Sequence, residues 1–77
     1  YPNPFRNELT VSGTQIQGEE VVIVVTDALG RKLLVTEHRV QGQHFETVLN
    51  LADLPPAVYF VRIKTADFVK TIKVVKQ

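Results

Sequence analysis

The stretch VVIVVTDALGRKLLVTEH, residues 21–38, decides the fold of this chain. Its first six residues are β-branched and place apolar side chains on both faces, which favours a central buried strand over a helix. Asp27 and Gly30 suit the first and fourth positions of a type I turn that closes into a left-handed glycine. Residues 32–38 should return as the antiparallel partner, so the stretch predicts a β-hairpin.

The rest of the chain repeats this pattern of short alternating segments. Strands are expected at residues 8–13, 45–51, 57–64 and 68–76, with a further one near the N-terminus. Pro55 and Pro56 end the strand before them because proline cannot donate to a ladder. The spacing of roughly 8–12 residues between strands is typical of sandwiches. We therefore predict an all-β domain over residues 1–77, a small immunoglobulin-like antiparallel β-sandwich of six to seven strands.

The composition excludes several classes of function. The net charge is +1, too balanced for a nucleic-acid binder that neutralises phosphates. The longest apolar run, residues 21–25, is too short to span a bilayer, so no membrane insertion is expected. Cysteine is absent, which excludes disulfides and thiolate metal sites.

The chain also contains no methionine, and it begins with tyrosine. We interpret it as a fragment of a larger secreted protein, with residues 1–7 as a boundary segment. Pro2 and Pro4 would stiffen that segment and keep the residue before each proline out of the helical region.

Residues that could carry catalysis are few. Ser12 is the only serine, and the acidic residues fall at turns and strand edges. His38, His44 and Glu46 could form a metal site, but their spacing matches no recurring zinc motif, so solvated histidines are the favoured interpretation. We expect no catalytic residue, no metal site, no cofactor and no enzymatic activity.

Tyr59 has a predicted structural role. Leu54 and Pro55 precede it closely, as in the corner of immunoglobulin-like sandwiches, where a buried tyrosine hydroxyl bonds back to the chain. A sugar-stacking role for Tyr59 is the less favoured alternative, because Tyr59 alternates in phase with Val61 and Ile63.

The last strand, FVKTIKVVK at residues 68–76, has lysines in both phases. This predicts a bulge or an edge strand whose lysines prevent aggregation. The alternative is a strand offered to a partner by β-augmentation, with Lys70, Lys73 and Lys76 setting specificity. An exposed terminal strand would also allow an edge-strand dimer.

Four segments resemble a known family in order and spacing: YPNPF (1–5), DALGR (27–31), NLADLPPAVYFVRI (50–63) and KTIKVVKQ (70–77). Together they are similar to the type A C-terminal sorting domain of the type IX secretion system. The chain departs from the family pattern at Ala57, where glycine is common, and near residues 66–67, which lack glycine and asparagine.

The resemblance implies roles for two sets of residues. The recognition segment comprises Lys70, Lys73, Val74, Val75, Lys76 and Gln77. The family motif, mainly structural, comprises Pro2, Asn3, Pro4, Asp27, Gly30, Arg31, Leu54, Pro55 and Tyr59.

The resemblance also implies a function and partners. Such domains are non-enzymatic signals of Bacteroidetes that direct an N-terminal cargo domain, attached in cis, through the periplasm and across the outer membrane to the cell surface or the medium. The partners would be type IX outer-membrane translocon and shuttle components and a sortase-like signal peptidase that removes the domain. The alternative function is an immunoglobulin-like accessory module of a secreted enzyme, which binds carbohydrate or a cell surface or acts as a spacer.

Overall fold

The computed structural model describes residues 3–14, 16 and 18–77, and this part of the chain contains seven strands and no helix. The strands are β1 (Asn3–Phe5), β2 (Glu8–Gly13), β3 (Glu20–Asp27), β4 (Lys32–Arg39), β5 (Phe45–Asn50), β6 (Val58–Lys64) and β7 (Val69–Lys76). The predicted all-β class is confirmed, and β1 is the additional strand expected near the N-terminus.

The strands form two sheets that pack together as a small β-sandwich. One sheet has five strands in the order β1-β7-β6-β3-β4, and the other pairs β2 with β5. The pairing of β1 with β7 is parallel, and the other pairings are antiparallel. The larger sheet is therefore mixed, whereas the sequence predicted antiparallel strands only.

The core lies between the two sheets and explains the alternation in the sequence. Val21, Ile23 and Val25 of β3 are completely buried against it. The other core residues are Leu9, Val11, Ile16, Phe45, Leu49, Leu51, Tyr59, Val61, Ile63 and Val74. Val22 and Val24, on the opposite face of β3, are only half-buried. β3 is central, as predicted, but the prediction of burial on both faces is wrong, because within the described residues the second sheet covers one face only.

The β3–β4 hairpin has the predicted turn. The Gly30 N–H donates to the Asp27 carbonyl at 3.1 Å, and Gly30 adopts a left-handed φ of 84°. The register then shifts, since Lys32 pairs with Thr26 while Leu34 pairs with Val25. Leu33 is thus an extra residue in β4, and this bulge is a feature that the sequence pattern did not predict.

The predicted bulge in the last strand is absent. β7 keeps one continuous register with β6, from Val69 opposite Lys64 to Val75 opposite Val58. The edge-strand alternative is correct for only part of β7, because β1 pairs with Val74–Lys76. Among the described residues, residues 69–73 have no strand beside them on the side away from β6; we call this segment the open edge of β7.

The β6–β7 hairpin is closed by a side chain instead of a glycine. The Thr65 hydroxyl accepts hydrogen bonds from the Asp67 and Phe68 N–H groups, each at 3.2 Å. A threonine hydroxyl can stabilise a tight turn in this way, which explains why residues 66–67 need neither glycine nor asparagine.

Candidate recognition surface

The three lysines of the last strand lie in different environments. Lys70 and Lys73 are exposed at the open edge of β7. Lys76 is only 6% exposed, and its Nζ donates to the carbonyl oxygens of Ala52, at 3.1 Å, and Leu54. A surface that a partner contacts can therefore include Lys70 and Lys73, whereas Lys76 is occupied inside the domain.

The remaining residues of the predicted recognition segment also differ in exposure. Val74 is 2% exposed and belongs to the core. Val75 is half-buried on the outer face of the larger sheet, and Gln77 is exposed after the strand ends. Lys70, Lys73 and Gln77 are thus the exposed members of the segment.

Asp27 and Arg31 fix the β3–β4 hairpin. One carboxylate oxygen of Asp27 accepts hydrogen bonds from the N–H groups of Leu29 and Arg31, each at 2.9 Å. The other oxygen lies 2.6 Å from the Arg31 Nε. The Arg31 N–H is the main cause that lowers the pKa of Asp27, and the guanidinium adds to the effect while partial burial opposes it.

Tyr59 forms the predicted corner. It is 2% exposed, and its hydroxyl donates to the Pro55 carbonyl oxygen at 2.5 Å. The burial leaves no ring surface for a sugar, so the stacking alternative for Tyr59 is wrong. Ala57 has no positive φ, so the corner is built without the left-handed residue that glycine would favour.

Lys76 and Tyr59 stabilise the same loop. Lys76 binds the carbonyl groups of Ala52 and Leu54, and Tyr59 binds that of Pro55. The ammonium group of Lys76 therefore links the last strand to the β5–β6 connection by hydrogen bonds. The sequence did not predict this role, although the in-phase position of Lys76 with Ile72 and Val74 was a signal for it.

The N-terminal motif contributes a strand. Asn3 and Pro4 lie beside Val74 and Val75 in the parallel pairing of β1 with β7. In a parallel ladder Val75 bonds to the residues on either side of Pro4, so the missing proline N–H costs no ladder bond. Pro2 lies outside the described residues.

An apolar cleft separates the β3–β4 hairpin from the Tyr59 corner. Its volume is ≈ 350 Å³, and Leu29, Leu33, Leu54 and Val58 contribute to its walls. Leu29, at the hairpin tip, is 82% exposed. A single exposed apolar residue in a turn has no distinctive pattern, so the sequence predicts no role for this leucine.

His38, His44 and Glu46 line one surface pocket together with Arg39. The Nε2 of His38 lies 3.2 Å from the Thr36 hydroxyl, within the same strand. In the part of the chain that the structure describes, no group of three or more histidine, aspartate or glutamate side chains is placed to hold a metal ion. The described residues also contain no helix long and apolar enough to cross a membrane.

A scan against protein-family models matches the secretion system C-terminal sorting domain over residues 1–77. The chain belongs to this family. Comparisons with curated proteins and with solved structures gave no match. The resemblance inferred from the four sequence segments is therefore confirmed at the level of the family.

Membership establishes the general role of this sorting domain. It is a sorting signal for type IX secretion, which implies interaction with that secretion machinery and a cargo in cis. It further implies export across the outer membrane, to the cell surface or the medium. The family is not an enzyme family.

Proposed function

We propose that residues 1–77 act as one folded, non-enzymatic C-terminal module that outer-membrane translocon and shuttle components bind, and that a sortase-like peptidase removes after export. The match of the sorting-domain family to the whole chain is the observation that carries this proposal. Residues 1–7 would form the boundary with the cargo, and the peptidase would cut before Tyr1 or close to it.

Lys70 and Lys73 would carry recognition. Both are exposed, and both lie on the strand that the family resemblance associates with the secretion machinery. Val74 and Lys76 would contribute indirectly, because they hold the strand and the β5–β6 loop in place.

The first experiment tests whether the domain is sufficient for export. Residues 1–77 are fused to the C-terminus of a periplasmic reporter and expressed in a type IX-competent strain and in its translocon-deficient derivative. We expect the reporter on the surface or in the medium of the first strain and in the periplasm of the second. Equal localisation in both strains would refute the proposal.

The second experiment tests recognition without disturbing the fold. Deleting residues 73–77 would remove Val74 and Lys76, and would confuse loss of folding with loss of recognition. The double variant K70E/K73E changes exposed charges only, and K32E/R39E on β4 is the matched control. Export should fall for the first variant and persist for the second. If K70E/K73E were exported as efficiently as the unmodified domain, these two lysines would not be part of the recognition site.

Removal of the domain is tested by the mass of the exported reporter. The mass should lack the sorting domain in a strain with the peptidase and retain it in a peptidase-deficient strain. An exported reporter that keeps the domain in both strains would contradict the cleavage step alone.

A further inference from the structure

The backbone of the open edge of β7 has three residues directed away from β6. The Thr65 N–H donates to the Phe68 carbonyl, and the Lys76 N–H donates to that of Ala57. Both pairs continue the β6–β7 register. In an antiparallel ladder every second residue of a strand bonds to one neighbouring strand, and the residues between them direct their N–H and C=O groups to the opposite side. Residues 70, 72 and 74 therefore face β6, and residues 69, 71 and 73 direct their N–H and C=O groups to the other side.

β1 covers one of these groups. Asn3 lies opposite Val74, and in a parallel ladder it bonds to the residues on either side of Val74, so its N–H uses the C=O of Lys73. Among the described residues, the N–H and C=O groups of Val69 and Thr71 and the N–H of Lys73 have no partner strand, and residues 69–73 form a template beside the end of β1. Unpaired edges of this kind accept an added strand readily.

The side chains around this template are basic. Lys70 and Lys73 belong to it, and Lys64 and Arg62 lie directly opposite Val69 and Thr71 on β6. All four basic side chains are exposed. Within the described residues the ion pair joins Asp27 to Arg31, and none involves these four. The nearest acidic residue in sequence is Asp67, in the turn before β7.

We propose that the open edge of β7 binds an extended acidic segment of a partner protein as an added strand. The proposal rests on the proposed sorting function and names the chemistry of the partner for the same surface. The incoming strand would pair with Val69, Thr71 and the N–H of Lys73. Carboxylates on its outer face would lie beside Lys73 on the neighbouring strand, with Arg62 and Lys64 one strand further away, and β1 would limit the pairing to about five residues.

Charge argues against a second copy of this chain as the occupant. Antiparallel pairing of two open edges about Thr71 would make the two Lys70 side chains diagonal neighbours on one face. It would also bring four basic residues from each copy to one seam, where like charges are destabilising. The carboxylates of an acidic strand would instead be attracted to the same basic side chains.

The binding test uses the whole 77-residue chain and a capped eight-residue peptide that alternates glutamate with valine. A matched peptide carries N-methyl groups on alternate amides, which removes the ladder donors but keeps the charge. Affinity is measured by calorimetry, and amide protection by NMR hydrogen exchange. We expect about tenfold weaker binding of the methylated peptide, or more. Protection should rise at Val69, Thr71 and Lys73. Equal binding of both peptides, or protection elsewhere, would overturn the proposal.

Two variants of the domain separate backbone from charge. Thr71→Pro removes an N–H that faces the open edge and that β6 does not use. K70E/K73E should weaken binding by about tenfold, and K32E/R39E should not. Thermal unfolding checks that each variant is folded. If Thr71→Pro does not fold, the comparison of K70E/K73E with K32E/R39E still tests the proposal. Unchanged binding by K70E/K73E would overturn the proposal, as would dimerisation of the free chain in sedimentation velocity.

Export assays distinguish this inference from the sorting function. A folded Thr71→Pro fusion that is exported normally would overturn strand addition and leave the sorting function intact. Failure of the unmodified fusion to leave the periplasm would refute the sorting function itself.

Discussion

The Nζ of Lys76 lies 3.1 Å from the carbonyl oxygen of Ala52, 24 residues earlier in the chain. The same ammonium group donates to the carbonyl oxygen of Leu54. A lysine at the end of the last strand thus joins that strand to the loop that precedes β6. The stem of the side chain is buried, so the contact combines packing with hydrogen bonding.

Lys76→Met should destabilise the domain by about 1–3 kcal/mol, because the methionine fills the space of the stem but leaves two carbonyl groups without their donor. Urea-induced unfolding followed by circular dichroism measures the change. Lys73→Met is the matched control on the same strand and should stay within about 0.5 kcal/mol of the unmodified domain. Equal stabilities of the two variants would show that the buried contact contributes nothing.

Tyr59→Phe should cost about 1–2 kcal/mol, since it removes only the hydroxyl that donates to Pro55 and keeps the buried ring. Thr10→Val, which removes an exposed hydroxyl from β2, is the control and should have little effect. Thermal and urea unfolding report both variants. A loss no larger than that of the control would contradict the structural role of the corner.

Asp27→Asn should make the stability difference from the unmodified domain depend on pH. The folded state lowers the pKa of Asp27 from its ordinary value of 3.8, mainly through the Arg31 N–H. The stabilising contribution of the carboxylate is therefore complete well above pH 3.8 and is lost as the pH falls through the lower pKa of the folded state.

Urea unfolding between about pH 2 and pH 7 measures this difference. The unmodified domain should be more stable than Asp27→Asn at neutral pH, and the two curves should converge in acid. A difference that grows as the pH falls would contradict the assigned sign.

Gly30→Ala and Gly13→Ala should both destabilise the domain, for different reasons. At Gly30 a Cβ meets nothing within 4 Å, so the cost is that of a left-handed φ, about 1–2 kcal/mol. At Gly13 a Cβ would lie 2.8 Å from the ring of Phe45, and the crowding of the core should cost about 1–3 kcal/mol.

Asparagine separates these two causes, because it tolerates the left-handed region better than alanine. Gly30→Asn should be more stable than Gly30→Ala, whereas Gly13→Asn should be no better than Gly13→Ala. Unfolding free energies of the four variants provide the comparison. A Gly30→Asn variant less stable than Gly30→Ala would argue against backbone strain at this position.

The sequence by itself determined the strands and the turns that join them. Alternation with a period of two identifies the strands, and Asp27, Gly30, Pro55 and Pro56 mark the turns, because these signals depend only on neighbouring residues. Tyr59 was predictable for the same reason, since the proline turn and the tyrosine are close in sequence.

Only the tertiary structure decided which strands are neighbours. The parallel pairing of β1 with β7 joins residues 71 positions apart, such as Asn3 and Val74, and alternation contains no information about such a pairing. Within the described residues, that pairing divides β7 into a covered end and an open edge. Lys70 and Lys73 are exposed while Lys76 is buried, because the acceptors of Lys76 come from a distant loop. The sequence shows where the lysines stand along the strand, but only the assembled domain determines which of them are exposed.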